Sequence, residues 1–172
     1  MPEIRLPYRW RPRFYQQAAW DYLSAGGLRC VLCWPRRAGK DETLLHHLAC
    51  AAHERVGTYW YMLPEYGQAR KSMWDAINPH TGKRRIDDAF PPEVRRNMSE
   101  QEMQIEFHNG STLQLVGSDN FDSLVGSPPV GLVFTSTTIT LAVEPPATVS
   151  APAPGSEGAI VSRAPSAWRA MS

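Results

Sequence analysis

The sequence predicts an α/β fold: a mainly parallel sheet flanked by helices, with a β-hairpin and an irregular C-terminal tail. Three observations carry this. Residues 29–34, 58–63 and 130–134 are short apolar or aromatic runs with the length of buried strands. Segments between them space their apolar residues at helical intervals. The first run breaks at Gly39-Lys40 and restarts as a helix-like segment near Asp41.

Taken in order, residues 13–24 place Tyr15, Ala19, Tyr22 and Leu23 at helical spacing, and Gly26-Gly27 ends the helix. Residues 41–55 predict a second helix with Leu44, Leu45, Leu48, Ala51 and Ala52 on its apolar stripe. His46, His47 and His53 ride on it as solvated or partly packed side chains, since no carboxylate or cysteine completes a ligand set around the i, i+7 pair His46 and His53. Pro64 ends the aromatic strand at 58–63, a helix is expected over 65–77, and 78–82 is a loop by its turn residues. Lys83-Arg84-Arg85 with Arg95-Arg96 forms a local basic cluster, and the interleaved Asp87, Asp88 and Glu93 make it read as a solvated face. Met103, Ile105 and Phe107 alternate with polar residues, as do Leu113 and Leu115. With Asn109-Gly110 between them, this predicts a hairpin with a two-residue turn. Residues 117–124 are turn-rich with a short helical possibility, and 137–143 could add one more strand.

Composition sets the bounds. A chain of 172 residues suits one domain with a tail, and 42% hydrophobic residues with six tryptophans supply a core. Net charge is +1, so any basic surface is local. Apolar runs all fall short of the roughly 20 residues that span a bilayer, and the N-terminal residues show no apolar export segment. The expectation is a cytoplasmic protein with no membrane partner. Three cysteines, an odd count, argue for reduced thiols. Cys30 and Cys33 form C-x-x-C, but residues three apart on a strand face opposite ways and chelate poorly. They read as two small buried apolar side chains. From Thr135 onward, 24 of 38 residues are Ala, Pro, Ser or Thr, so the chain divides into residues 1–134 and a low-complexity tail, 135–172. Disorder is expected beyond Pro145, where too little apolar surface offsets the ordering entropy.

The chemistry concentrates in Trp34-Pro35-Arg36-Arg37-Ala38-Gly39-Lys40-Asp41. A phosphate loop reads G-x-x-x-x-G-K-[ST]; Gly39 and Lys40 fit it, whereas Trp34 and Asp41 replace the first glycine and the hydroxyl. Amides at the helix start would face an anion, and the helix dipole and the lysine would add positive potential. Arg36 and Arg37 add planar forks suited to phosphate oxygens. Asp41 can hold Mg2+ through a carboxylate oxygen.

The order of features resembles the N-terminal ATPase domain of a tailed-phage terminase large subunit, the motor that packages DNA into capsids. The resemblance rests on Arg13-Phe14-Tyr15-Gln16, then the loop at 34–41, the aromatic strand at 58–63, the hairpin, and Gly117-Ser118-Asp119-Asn120 running to Leu124-Val125-Gly126 before a buried strand. It covers about residues 8–134 and implies a P-loop NTPase-like fold and ATP with Mg2+ as cofactors. It further implies that Tyr15 and Gln16 recognise the adenine and that Arg36, Arg37, Ala38, Gly39 and Lys40 hold the phosphates. Asp41 would stand at the magnesium position. Arg36 would act like an arginine finger on the transferring phosphoryl group. The implied partners are double-stranded DNA, the portal protein and the terminase small subunit, in the cytoplasm of a host cell or from a prophage, with a homo-oligomer possible.

Two departures temper the resemblance. In the family, the strand matching 130–134 ends in an acid that organises magnesium and the attacking water; here it runs into Thr135-Ser136-Thr137-Thr138, and the next acid is Glu144. No stretch of the tail matches a nuclease domain. The expectation is therefore a truncated or frameshifted ATPase domain with weak or no hydrolysis. The alternatives are a non-enzymatic remnant or interaction module, and another P-loop translocase such as a helicase-like ATPase. An incomplete sheet would also leave an open edge prone to association.

Overall fold

The computed structural model describes residues 10–119, 126, 128–136, 140–143 and 160–163. Its strands are β1 (Arg29–Cys33), β2 (Thr58–Leu63), β3 (Arg95–Ser99), β4 (Gln104–Phe107), β5 (Thr112–Gly117), β6 (Gly131–Thr135), β7 (Thr140–Val143) and β8 (Ile160–Arg163). Its helices are α1 (Gln17–Ser24), α2 (Lys40–Glu54), α3 (Tyr66–Ala69) and α4 (Arg85–Ala89), and α3 runs on as a π-helical turn, Arg70–Trp74. The fold is α/β, with helices flanking one sheet in the order β3-β4-β5-β2-β6-β7-β1-β8.

The sheet is mixed, where a mainly parallel one was expected. Strands β5, β2 and β6 are mutually parallel, as are β1 and β8. Strand β7 runs antiparallel between β6 and β1. The cause is the length of the connection: residues 136–139 are too few for a parallel crossover, which needs about a dozen residues, so the chain returns antiparallel.

Alternation along β2 sorts the core. Tyr59, Tyr61 and Leu63 join the main cluster with Leu44, Leu45 and Leu48 of α2. Trp60 and Met62 face the other side of the sheet with Val116. Helix α2 is enclosed well beyond one stripe, because the sheet, α1 and α4 all contact it. His46 and His47 are accordingly buried, which corrects the solvated reading. Trp10 stacks on His46 at 4.6 Å, and Trp20 meets His47 edge-on. Truncating Leu48, which is 1% exposed, to alanine would cost about 2–5 kcal/mol through lost transfer energy and a cavity.

Other local expectations shift for identifiable reasons. The hairpin is present as β4 and β5, but its loop spans residues 108–110, closed by the Phe107 amide on the Ser111 carbonyl at 2.9 Å. Asn109 forces this, since its amide donates to the Ala52 carbonyl at 2.7 Å and draws the loop onto the end of α2. Strand β3 was not anticipated, because Arg95-Arg96-Asn97 carries no apolar alternation. The basic cluster does not form one solvated face: Arg84 and Arg95 both bind Asp87, at 2.8 and 2.6 Å. Cys30 is buried and Cys33 exposed, so only one of the pair is a core side chain. Strand β7 lies within the segment expected to extend, and β8 within the low-complexity tail; the rest of that tail and residues 120–125 lie outside the described residues.

Candidate functional site

Strand β1 delivers the loop and α2 receives it. Gly39 caps α2 in the left-handed region, φ +75°, which glycine adopts without strain. A Cβ there would also stand 2.8 Å from Nε2 of Gln16. Lys40 is the first residue of α2 and is 6% exposed. Its ammonium folds back over the loop and donates to the Trp34 carbonyl at 2.9 Å. A buried cation with that carbonyl as partner needs little rearrangement to exchange it for a phosphate oxygen. Arg37 also has positive φ, 64°, and Arg36 and Arg37 are exposed on the loop's outer side.

Tyr15 and Gln16 meet the loop from behind. The Tyr15 hydroxyl and Gln16 Nε2 both donate to the Ala38 carbonyl, at 3.2 and 2.9 Å. Gln16 Oε1 accepts from the Arg13 amide at 2.9 Å, so the side chain is anchored at both ends. A trans peptide directs its C=O and N–H in opposite senses. With the Ala38 carbonyl held toward Gln16, the Gly39 amide is turned the other way, toward the cleft. Tyr15 is 8% exposed and its ring lies edge-on to Trp34.

The loop forms one wall of an open cleft of about 740 Å³. Leu63 and Pro64 from the end of β2, Thr135 and Ser136 from the end of β6, and Gln68, Ser72 and Arg85 also line it. Four cations (Arg36, Arg37, Lys40, Arg85) line it against two carboxylates (Asp41, Glu42), so its field favours an anion. The first amides of α2 lack intrahelical acceptors and add to that field.

Asp41 is held from the sheet. Thr135 Oγ1 and the Tyr61 hydroxyl donate to its Oδ1, at 2.7 and 3.0 Å. Burial, then the neighbouring Asp41 carboxylate, pushes the Tyr61 hydroxyl well above its ordinary pKa, so it stays a donor. A carboxylate fixed at the start of the helix fits Mg2+, which takes one or two protein oxygens and fills its remaining positions with phosphate and water. Among the described residues no group of three or more His, Cys, Asp or Glu is placed to hold a metal by itself. Glu42 sits beside it. Burial alone would raise its pKa, but His46 at 3.4 Å, Arg85 and Arg13 outweigh burial and hold the carboxyl below its ordinary value.

The structure thus gathers Tyr15, Gln16, Arg36, Arg37, Ala38, Gly39, Lys40 and Asp41 around one loop. It adds four side chains that the sequence did not single out: Glu42, Tyr61, Arg85 and Thr135. Tyr61 and Thr135 were accessible to strand alternation, since both point to the face that α2 covers. Arg85 was read only as part of a solvated basic cluster; it reaches the cleft because the Ile77–Arg84 bridge and the Arg85 amide on the Ala76 carbonyl, 2.8 Å, fold residues 77–84 back. Gly117 closes against the start of α3, where a Cβ would lie 2.4 Å from the Tyr66 nitrogen; Ser118 donates to the Pro64 carbonyl at 3.1 Å. This segment therefore braces the β2 end of the cleft. Family models, curated proteins and solved structures yielded no match to this chain.

Proposed function

We propose that this chain binds ATP with Mg2+ in the cleft at the β1–α2 loop, as the motor domain of a phage DNA-packaging terminase large subunit in which binding outruns hydrolysis. One observation carries the reading. A strand turns through a left-handed glycine into a helix whose first residue is a buried lysine, and among the described residues that lysine donates to a loop carbonyl that a phosphate oxygen can replace. Lys40 and the α2 amides hold the phosphates. Asp41 orients the magnesium ion, which would neutralise phosphate charge. Arg36 and Arg37 approach from the solvent side, where Arg36 would stabilise charge on the terminal phosphoryl group. Tyr15 and Gln16 act on the nucleotide through the loop they hold. The P-loop NTPase-like fold is part of this proposal, supported by the strand–loop–helix order and the parallel trio β5, β2 and β6.

Weak hydrolysis follows from the end of β6. The groups there are hydroxyls, Thr135 and Ser136, and Thr135 is committed to Asp41. A hydroxyl does not take a proton from water near neutral pH as a carboxylate general base does. The same observation favours, as a second reading, a non-enzymatic module that holds nucleotide without turning it over. Double-stranded DNA, the portal protein, the terminase small subunit and further copies of this chain are the partners this identity would bring, in the host cytoplasm. Among the described residues no helix is long and apolar enough to cross a membrane.

Calorimetry of the full chain with Mg-ATP tests the proposal. Wild type binds, and Lys40→Ala, with its fold verified by circular dichroism, loses at least about tenfold in affinity, as expected for a charge-assisted phosphate contact. A folded wild type that takes up no heat with Mg-ATP would refute it.

A further inference from the structure

Asp41 stands where a phosphate loop carries a serine or threonine. A hydroxyl offers a metal one oxygen; a carboxylate offers two. The sheet removes one of them. Thr135 Oγ1 donates to Oδ1 of Asp41 at 2.7 Å, and the Tyr61 hydroxyl donates to the same Oδ1 at 3.0 Å. A carboxylate has about four acceptor sites, two on each oxygen, so these two donors fill Oδ1. Both donors are firmly mounted. Tyr61 is fully buried, and its strand β2 is paired on both sides, with Leu115 of β5 and Val133 of β6 opposite it. Thr135 is buried and pairs with Thr140 of β7. Turning the carboxylate to present both oxygens would break two hydrogen bonds to a paired sheet. Asp41 nevertheless lines the cleft, so Oδ2 is the oxygen left for a ligand there.

One oxygen and two oxygens suit different ions. Ca2+ takes roughly six to eight oxygens at about 2.3–2.6 Å and readily engages both oxygens of a carboxylate. Mg2+ sits in a tighter octahedron at about 2.0–2.1 Å, with one or two carboxylates and the remaining positions filled by phosphate and water. We propose that Tyr61 and Thr135 are positioning residues that confine Asp41 to coordination through Oδ2, so that the cleft discriminates against Ca2+ in favour of Mg2+ bound with nucleotide. The inference rests on the nucleotide reading above. Its basis is the shared acceptor oxygen, and the loop cannot supply that by itself: the two donors come from β2 and β6, 20 and 94 residues from Asp41 in sequence.

Titration calorimetry of wild type, Tyr61→Phe and Thr135→Val with ATP in excess Mg2+, in excess Ca2+ and in EDTA tests it. The metal-free titration gives each variant its own reference, and general damage to the loop cancels in the ratio of the Mg2+ to the Ca2+ affinity. Wild type is expected to bind Mg-ATP about tenfold tighter than Ca-ATP. Each variant opens one acceptor site on Oδ1, and the ratio falls by at least about threefold, mainly through a gain in Ca-ATP binding. A wild type that binds both complexes equally, or variants that keep the wild-type ratio, would overturn the assignment and leave the nucleotide site standing. A wild type that binds ATP under none of the three conditions takes both readings down. Thr135→Val preserves shape and Tyr61→Phe preserves the ring, so if one variant fails to fold the other carries the test.

Discussion

Gln16 separates two ways of reading the loop, and replacing it with alanine distinguishes them. The side chain is 3% exposed and anchored at both ends, donating to Ala38 and accepting from the Arg13 amide. Each bond contributes about 1 kcal/mol net, and the Arg13 amide and Ala38 carbonyl each lose a partner, so Gln16→Ala should cost roughly 2–3 kcal/mol of stability. A domain of ordinary stability, about 5–15 kcal/mol, survives that loss. Among the described residues, the Ala38 carbonyl would then keep the longer Tyr15 bond, at 3.2 Å. The Gly39 amide would lose its fixed direction, and every phosphate ligand would be affected alike. Urea unfolding measures the first effect. Calorimetry with Mg-ATP, Mg-GTP and inorganic tripolyphosphate measures the second, with a drop of about tenfold expected for all three. If ATP weakens while tripolyphosphate binds as before, Gln16 reads the base directly and the loop-holding role is wrong.

Adding a carboxylate at the end of β6 should restore chemistry. Ser136→Glu is expected to raise phosphate release from Mg-ATP by about a hundredfold or more, the usual contribution of a placed general base; retained ATP binding with no gain in turnover would contradict the account of weak hydrolysis. Cys30 predicts an alkaline weakness. Burial pushes its thiol from 9.0 up to about 11, so its stabilisation is complete below pH 9 and is lost as pH rises through 11. The loss is roughly 2 kcal/mol, read as the difference in urea-unfolding stability between pH 8 and pH 11. Cys30→Ala should flatten that dependence, and equal slopes for the two proteins would count against it.

Much of the frame was legible because it is local. The strand at 58–63 and the α2 stripe follow from side-chain period, and the loop announces itself by packing two arginines, a glycine and a lysine into one turn. What escaped depends on contacts remote in sequence. His46 and His47 lie off the apolar stripe and are buried because α1 and Trp10 cover that side of α2. Arg95–Ser99 is a strand through its pairing with β4, not through its own residues. Arg85 belongs to the cleft only because the chain between Ile77 and Arg84 doubles back. The direction of β7 was set by the brevity of its connection, which no periodicity encodes.

The partners of β1 carry a consequence for how this molecule assembles. Its neighbours, β7 and β8, are the last two strands of the described chain, and Leu32 finds Thr140 and Cys33 finds Arg163 only across most of its length. Pairings that distant are entropically slow to form. The strand bearing the loop is thus expected to be the last to lock during synthesis, and the easiest to release afterwards. A ligand captured by the loop would hold that late pairing shut, so occupancy and completion of the sheet become a single linked equilibrium.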